Sequence, residues 1–176
     1  MSVEIEAKLK VDSLEPIAQK LKQIGAIFGG SVFQTDHYFD DTSGSLAKSD
    51  KALRLRCETR EAIVKTVLAY KGPREAGAFK RRQEVQFDVD NGEQAAIMLA
   101  SLGFAESLVI QKRRKLWWLE GCEIALDELP QLGMFVEIEG PSEEKITDVQ
   151  SQLGLADRPH IKEGYAILMQ KAKSKG

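Results

Sequence analysis

The sequence predicts an α+β protein: an antiparallel β-barrel of about eight strands, closed or nearly closed, with helices packed outside. Three observations predict it. Successive segments alternate apolar and charged side chains, each segment sorts its charges to one face, and three segments run into amphipathic helices that stop at glycine.

The first strand, residues 2–10, carries Val3, Ile5, Ala7 and Leu9 on one face and Glu4, Glu6 and Lys8 on the other. Carboxylates at i and i+2 stand about 7 Å apart on one side of a strand, a workable half-site for a divalent cation. A helix follows, with Leu14, Ile17, Leu21 and Ile24 at the 3.6-residue period. Asp12 and Glu15 have capping-box spacing, and Gly25 stops it. In the strand 31–39, His37 and Tyr38 face opposite ways, and His37 reads as structural or surface. The turn Asp41-Thr42-Ser43-Gly44 leads to the strand 52–58, where Arg54 and Arg56 share a face and Cys57 joins Leu53 and Leu55 on the other.

The strand 63–70 aligns Lys65, Val67, Ala69 and, at its end, Lys71; Lys71-Gly72-Pro73 then turns the chain. Arg82, Glu84 and Gln86 share a face in the strand 81–89, which runs into a second helix ended by Gly103. In the strand 108–119, Lys112 and Arg114 lie together, while Trp117 and Trp118 face opposite ways, so one ring at most enters an interior. Glu120-Gly121 turns the chain into the strands 123–127 and 133–139. The second of these repeats the opening pattern, with Glu137 and Glu139 opposed to Val136 and Ile138. Ser142 caps a third helix whose stripe is Ile146, Val149 and Leu153 and whose stop is Gly154. Beyond it, His160 shows no partner, and Lys171, Lys173 and Lys175 read as a solvated tail.

At 176 residues the chain suits a single domain, 1–176, with a good core. A net charge of -2 excludes a general basic field for nucleic acid or a membrane surface, so any basic site is local. Cys57 and Cys122 lack the spacing of a disulfide framework or zinc site, and no stretch of eighteen apolar residues occurs. A reducing, cytoplasmic location is expected.

Closure gives the alternation its meaning. With apolar faces outward under helices, the lumen is lined by Glu4, Glu6, Lys8, Arg54, Arg56, Lys71, Arg82, Glu84, Lys112, Arg114, Asp127, Glu137 and Glu139. Unpaired buried charges are costly, so converging acids and bases need a ligand that satisfies both. A chain of phosphates with bound Mg2+ or Mn2+ meets that need, its oxygens held by Arg and Lys and its metal by carboxylates.

These residues resemble the CYTH superfamily, the triphosphate tunnel metalloenzymes, which include class IV adenylyl cyclases, thiamine triphosphatases and inorganic tripolyphosphatases. EIEAK matches the ExExK signature, and HYFD (37–40), LRLR (53–56), YKGP (70–73), KRR (112–114), Asp127 and VEIEG (136–140) follow in the expected order. LGMFVEIEGP looks most like the CyaB-like class IV cyclases. The resemblance implies metal ligation by Glu4, Glu6, Asp127, Glu137 and Glu139, with Glu84 a further contributor. It implies a triphosphate gripped by Arg54, Arg56, Lys71, Lys112 and Arg114, to which the shared strand face adds Arg82. In some family triphosphatases the lysine matching Lys8 works with a tyrosine, for which Tyr38 is the candidate. Near its C-terminus the family often has a lysine followed by Ser-Tyr; Lys162 is the matching candidate for a substrate contact, although Gly164-Tyr165 here lacks the serine.

Two reactions suit such a tunnel. Hydrolysis of a short-chain triphosphate needs only a phosphate cradle, whereas cyclisation of ATP also needs a pocket for base and ribose. A noncatalytic polyphosphate-binding module is the alternative from another class, and the carboxylates argue against a nucleic-acid groove. The expected partner is a small-molecule triphosphate, with no nucleic acid or membrane; a homodimer is left open.

Overall fold

Alternation builds the strands and positive-φ residues turn them. The computed structural model describes residues 2–174. Its elements are β1 (Ser2–Val11), α1 (Glu15–Gln23), β2 (Ile27–Asp40), α2 (Ser45–Lys48), β3 (Ala52–Arg60), β4 (Ile63–Lys71) and β5 (Lys80–Asp88). They continue with α3 (Gly92–Ser101), β6 (Ala105–Leu119), β7 (Cys122–Leu129), β8 (Gly133–Glu139), α4 (Glu143–Gln152) and α5 (Tyr165–Lys173). All eight strands pair antiparallel into a closed barrel, in the order β1-β5-β4-β3-β2-β6-β7-β8. Closure comes from β1, which pairs with β5 through Glu4↔Arg82 and with β8 through Lys8↔Glu137.

The main core lies outside the barrel wall. Ala7, Leu9, Ile124, Leu126, Val136 and Ile138 pack against Ile17 and Leu21 of α1 and Ile146 and Val149 of α4. Leu99 of α3 covers Phe39 and Leu55. A third cluster joins Leu108, Ile110, Leu129 and Phe135 to Tyr165 and Met169 of α5, closing part of one barrel end.

Gly25, Gly103 and Gly154 all have positive φ. After α1 the Gly25 amide donates to the Lys22 carbonyl and the Ala26 amide to that of Leu21, the paired bonds of a Schellman stop. Ser142 caps α4 by accepting from the Lys145 amide. The capping box expected at Asp12 is absent: α1 starts after Leu14, and the Ser13 hydroxyl accepts from the Glu15 amide at 3.4 Å. A helix begun at Asp12 would place Pro16 where the first intrahelical N–H is needed; the later start puts it in the first turn, where that loss costs nothing.

Several elements exceed expectation. β2 starts four residues before position 31, because a bulge between Phe28 and Gly30 carries the Gly29-Gly30 pair through the ladder with β6 instead of breaking it. Residues 165–173 form α5, not a tail, anchored by Tyr165 and Met169 one turn apart; Lys171 and Lys173 occupy its last turn, and Lys175 lies outside the described residues. Trp117 packs outside in the main core, and Trp118 lies at the far barrel end over Gly29, so neither indole lines the cavity. Among the described residues no helix is long and apolar enough to cross a membrane.

Candidate functional site: a charged barrel interior

Strand parity puts the charges inside. The barrel encloses a cavity of about 390 Å³, and every charged residue predicted for the lumen lines it except Asp127. Tyr38 lines it as well.

The carboxylates and bases alternate around the wall. The Lys71 ammonium donates to both oxygens of Glu4 at 2.9 Å and sits 3.0 Å from Glu84. Lys80 donates to Glu6 at 2.7 Å. Lys8, 1% exposed, lies 3.4 Å from Glu6 and 3.2 Å from Glu137, and donates to the Glu163 carbonyl at 3.1 Å. Burial works against ionisation of Glu137, yet Lys8 and Arg114 hold its carboxyl well below the usual range. The aromatic ring facing Lys8 is that of Tyr165, at 4.2 Å, and Lys112 approaches the same ring at 4.7 Å. Burial, and then Arg114, push the Lys112 ammonium down to about 7. Burial, and then Asp36, raise the Tyr38 phenol, so Tyr38 is a proton donor and not a phenolate.

The arginines divide into committed and free. Arg56 donates to both oxygens of Asp36 at 2.6 and 2.8 Å, and Arg114 to both of Asp127 at 2.6 and 2.5 Å, with Glu137 as a further partner. Arg54 stands 4.0 Å from Asp36 and from Glu84, and Arg82 reaches the Asp50 carbonyl at 3.2 Å. Among the described residues the buried Nε atoms of Arg54 and Arg82 have no hydrogen-bond partner, and neither has Glu6 Oε1. Buried donors without acceptors cost free energy until an anion arrives.

The carboxylates fit a hard divalent cation. Glu6 Oε1 is a buried acceptor without a hydrogen bond, 3.4 Å from the Lys8 ammonium, and burial followed by Glu4, Glu6 and Glu123 pushes Glu139 up to about 7. A cation among Glu4, Glu6 and Glu139 would relieve both, and carboxylate oxygens suit Mg2+ or Mn2+. Among the described residues these side chains do not stand in a ready three-ligand array.

Two predicted residues stand apart. Asp127, 0% exposed, spends its oxygens on Arg114 and on the Tyr165 hydroxyl, which donates at 2.8 Å. Lys162 lies outside this cavity and donates to the Gly77 carbonyl. Sequence reading passed over Asp36, Lys80 and Glu123. The signal was available, since Asp36 has the parity of Tyr38, Lys80 that of Arg82, and Glu123 that of Asp127. His37 pairs with Glu106 at 2.6 Å on the surface, as its parity requires. His160, expected to lack a partner, meets the Gln150 side chain at 2.8 Å and the ring of Phe79.

Comparison with known proteins shows the family and the fold. A Methanocaldococcus jannaschii protein, provisionally named as an adenylate cyclase, is 32% identical over 78% of this chain and 76% of its own length. The adenylate cyclase CyaB of Aeromonas hydrophila is 27% identical over 79% and 73%. The structure of the PH1819 protein of Pyrococcus horikoshii superposes with a TM-score of 0.82 at 26% identity, covering 96% of this chain and 99% of its own. The CYTH domain model matches residues 2–165, and the chain belongs to the CYTH domain family.

Proposed function

We propose that this protein is a metal-dependent enzyme that hydrolyses a short-chain triphosphate, inorganic or esterified, held inside the barrel. The observation that carries the reading is the buried Nε donors of Arg54 and Arg82 and the buried Glu6 acceptor, none of which has a hydrogen-bond partner among the described residues. One set calls for an anion and the other for a cation, and a metal-bound phosphate chain supplies both.

Arg54 and Arg82 bind phosphate oxygens through their free Nε atoms, while Lys71, Lys80 and Lys112 add charge along the wall. Arg56 and Arg114, fixed by Asp36 and Asp127, hold their guanidinium planes in place before substrate enters. Preorganised charge of this kind stabilises what develops on a phosphoryl group in transfer, without reorganisation at the moment of reaction. Glu4, Glu6 and Glu139, with Glu84 and Glu137 beside them, would hold Mg2+ or Mn2+; the ion would neutralise phosphate charge and orient the chain. In this reading Lys8 and Tyr38, which both line the cavity, orient the attacking water and donate to the leaving oxygen.

The names of the curated relatives favour a second reading, conversion of ATP to cyclic AMP and pyrophosphate. One assay decides: tripolyphosphate, ATP and thiamine triphosphate incubated side by side with Mg2+ or Mn2+, reading orthophosphate, pyrophosphate and cyclic AMP. Metal-dependent orthophosphate release is the expected result. Cyclic AMP with equimolar pyrophosphate establishes the second reading. Binding without turnover, indifferent to metal, overturns both.

A further inference from the structure

Three non-glycine residues among those described have positive φ. Glu61 and Glu120 turn the β3–β4 and β6–β7 hairpins, whereas Asp50, at φ 54°, lines the cavity. Its backbone ends α2: the Asp50 amide donates to the Ala47 carbonyl at 3.1 Å and the Lys51 amide to that of Leu46 at 2.8 Å. That is a Schellman stop, and glycine fills its left-handed position with the least strain. An aspartate there calls for another reason.

The reason lies in its oxygens. The Asp50 carboxylate accepts from the Arg74 amide at 2.9 Å and from Arg74 Nε at 2.8 Å, tying the end of α2 to the segment between β4 and β5. The Asp50 carbonyl accepts from Arg82 Nη2 at 3.2 Å, and a carboxylate oxygen stands 3.6 Å from the same nitrogen. Arg82 is 7% exposed, and among the described residues Asp50 is its only polar partner. Asp36 and Asp127 engage Arg56 and Arg114 through Nε and Nη2 together. Asp50 holds Arg82 by Nη2 and leaves Nε without a partner.

We propose that Asp50 is a positioning residue for phosphate binding: its carboxylate, fixed on Arg74, sets the turn whose carbonyl orients the Arg82 guanidinium within the cavity wall. This rests on the triphosphate reading above. A carboxylate on the wall repels a polyanion, so by charge alone its removal strengthens binding. Positioning has the opposite sign. Without the carboxylate the turn is released from Arg74, Arg82 loses its orientation, and a phosphate chain binds less tightly.

Asp50→Gly keeps the left-handed turn and removes the carboxylate, while Asp50→Asn keeps an oxygen that accepts from Arg74. Both are compared with the wild type, and again in an Arg82→Ala background. Calorimetry with Mg2+ and the bis-methylene analogue of tripolyphosphate gives Kd, which does not depend on the fraction of folded protein. Turnover of tripolyphosphate and of ATP gives KM and kcat. Asp50→Gly is expected to raise Kd and KM roughly tenfold with kcat moving less, Asp50→Asn to stay close to the wild type, and neither to have a further effect beside Arg82→Ala. Unchanged or tighter binding by Asp50→Gly, or an equal loss with and without the Arg82 side chain, overturns the positioning role while leaving triphosphate chemistry standing. A wild type that neither binds the analogue nor turns over either triphosphate overturns the triphosphate reading, and the positioning role with it.

Discussion

Asp36 and Arg56 form a two-point ion pair inside the barrel, with the guanidinium Nε and Nη2 at 2.6 and 2.8 Å from the two carboxylate oxygens. Asp36 is 1% exposed. Burial opposes its charge, but Arg56 and then Arg54 hold its carboxyl far below the usual range. A carboxylate whose folded pKa is depressed gives stability that is complete above its unfolded pKa and is lost as pH falls below it. Asp36→Asn is therefore expected to cost about 3 kcal/mol near pH 7, where it leaves Arg56 unpaired. The gap from wild type should narrow as pH drops below about 4. Urea unfolding at pH 7 and pH 3 checks it; an equal loss at both would deny the pair its role.

Arg54 is the guanidinium with capacity to spare, and Arg56 is the one held in place. Arg54→Lys should lower kcat/KM tenfold or more with little change in melting, because an ammonium cannot grip two phosphate oxygens as a planar fork does. Arg56→Lys should lower both, since it also breaks the two-point pair. Arg60 shares their parity at the end of β3, but it is exposed and donates to the Gly29 carbonyl at 2.8 Å. Arg60→Lys serves as the control, and kinetics indistinguishable among the three variants would exclude a phosphate grip by Arg54 and Arg56.

Glu137 and Glu139 share a strand face and differ in company. Glu137 is paired with Lys8 and Arg114, whereas Glu139 is raised by burial and by neighbouring carboxylates. Glu139→Gln should leave the fold intact and weaken the melting-temperature rise that Mg2+ or Mn2+ produces, along with metal-dependent turnover. Glu137→Gln should lose stability without metal as well. Thermal shift with and without metal separates them, and a wild-type metal response in Glu139→Gln would remove it from the cation site.

Val136, 0% exposed, lies outside the barrel wall beneath the helices, and Ile5 packs at the edge of the same core. Val136→Lys should cost more than about 3 kcal/mol, with Ile5→Lys costing less because its side chain reaches solvent. Variants that melt normally but lose only substrate affinity would mean the two wall faces are reversed.

Much of this was legible because a strand has a period of two. Ile5 outside and Glu4 inside follow from one another, and the same parity sorted β3, β5, β6 and β8. The misses have separate physical causes. Asp36 and Lys80 obeyed the rule at positions where it was not applied, and the strand expected from position 31 leaves out Gly29-Gly30, whose bulge composition alone does not separate from a turn. α5 lacks a side-chain cap, and only Tyr165 and Met169 of it are buried, too faint a stripe to separate from a solvated tail. Asp127 has lumen parity and meets Arg114 as its cross-strand neighbour in the β6–β7 hairpin, but the Tyr165 hydroxyl that also bonds it comes from a helix more than thirty residues away, which no local pattern encodes.

The double pairing of β1 carries a cost in time. Residues 2–11 must wait for residues 80–88 on one side and for residues 133–139 on the other. Until both arrive, the strand that holds Glu4, Glu6 and Lys8 offers two bare rows of amides and carbonyls, and β5 and β8 each offer one. Contacts so distant along the chain pay loop-closure entropy before they return anything, so folding should be slow for the chain's size. Unpaired edges in the interval are where two copies join wrongly. Refolding yield should therefore fall as protein concentration rises, through strand exchange at the seam that β1 has yet to close.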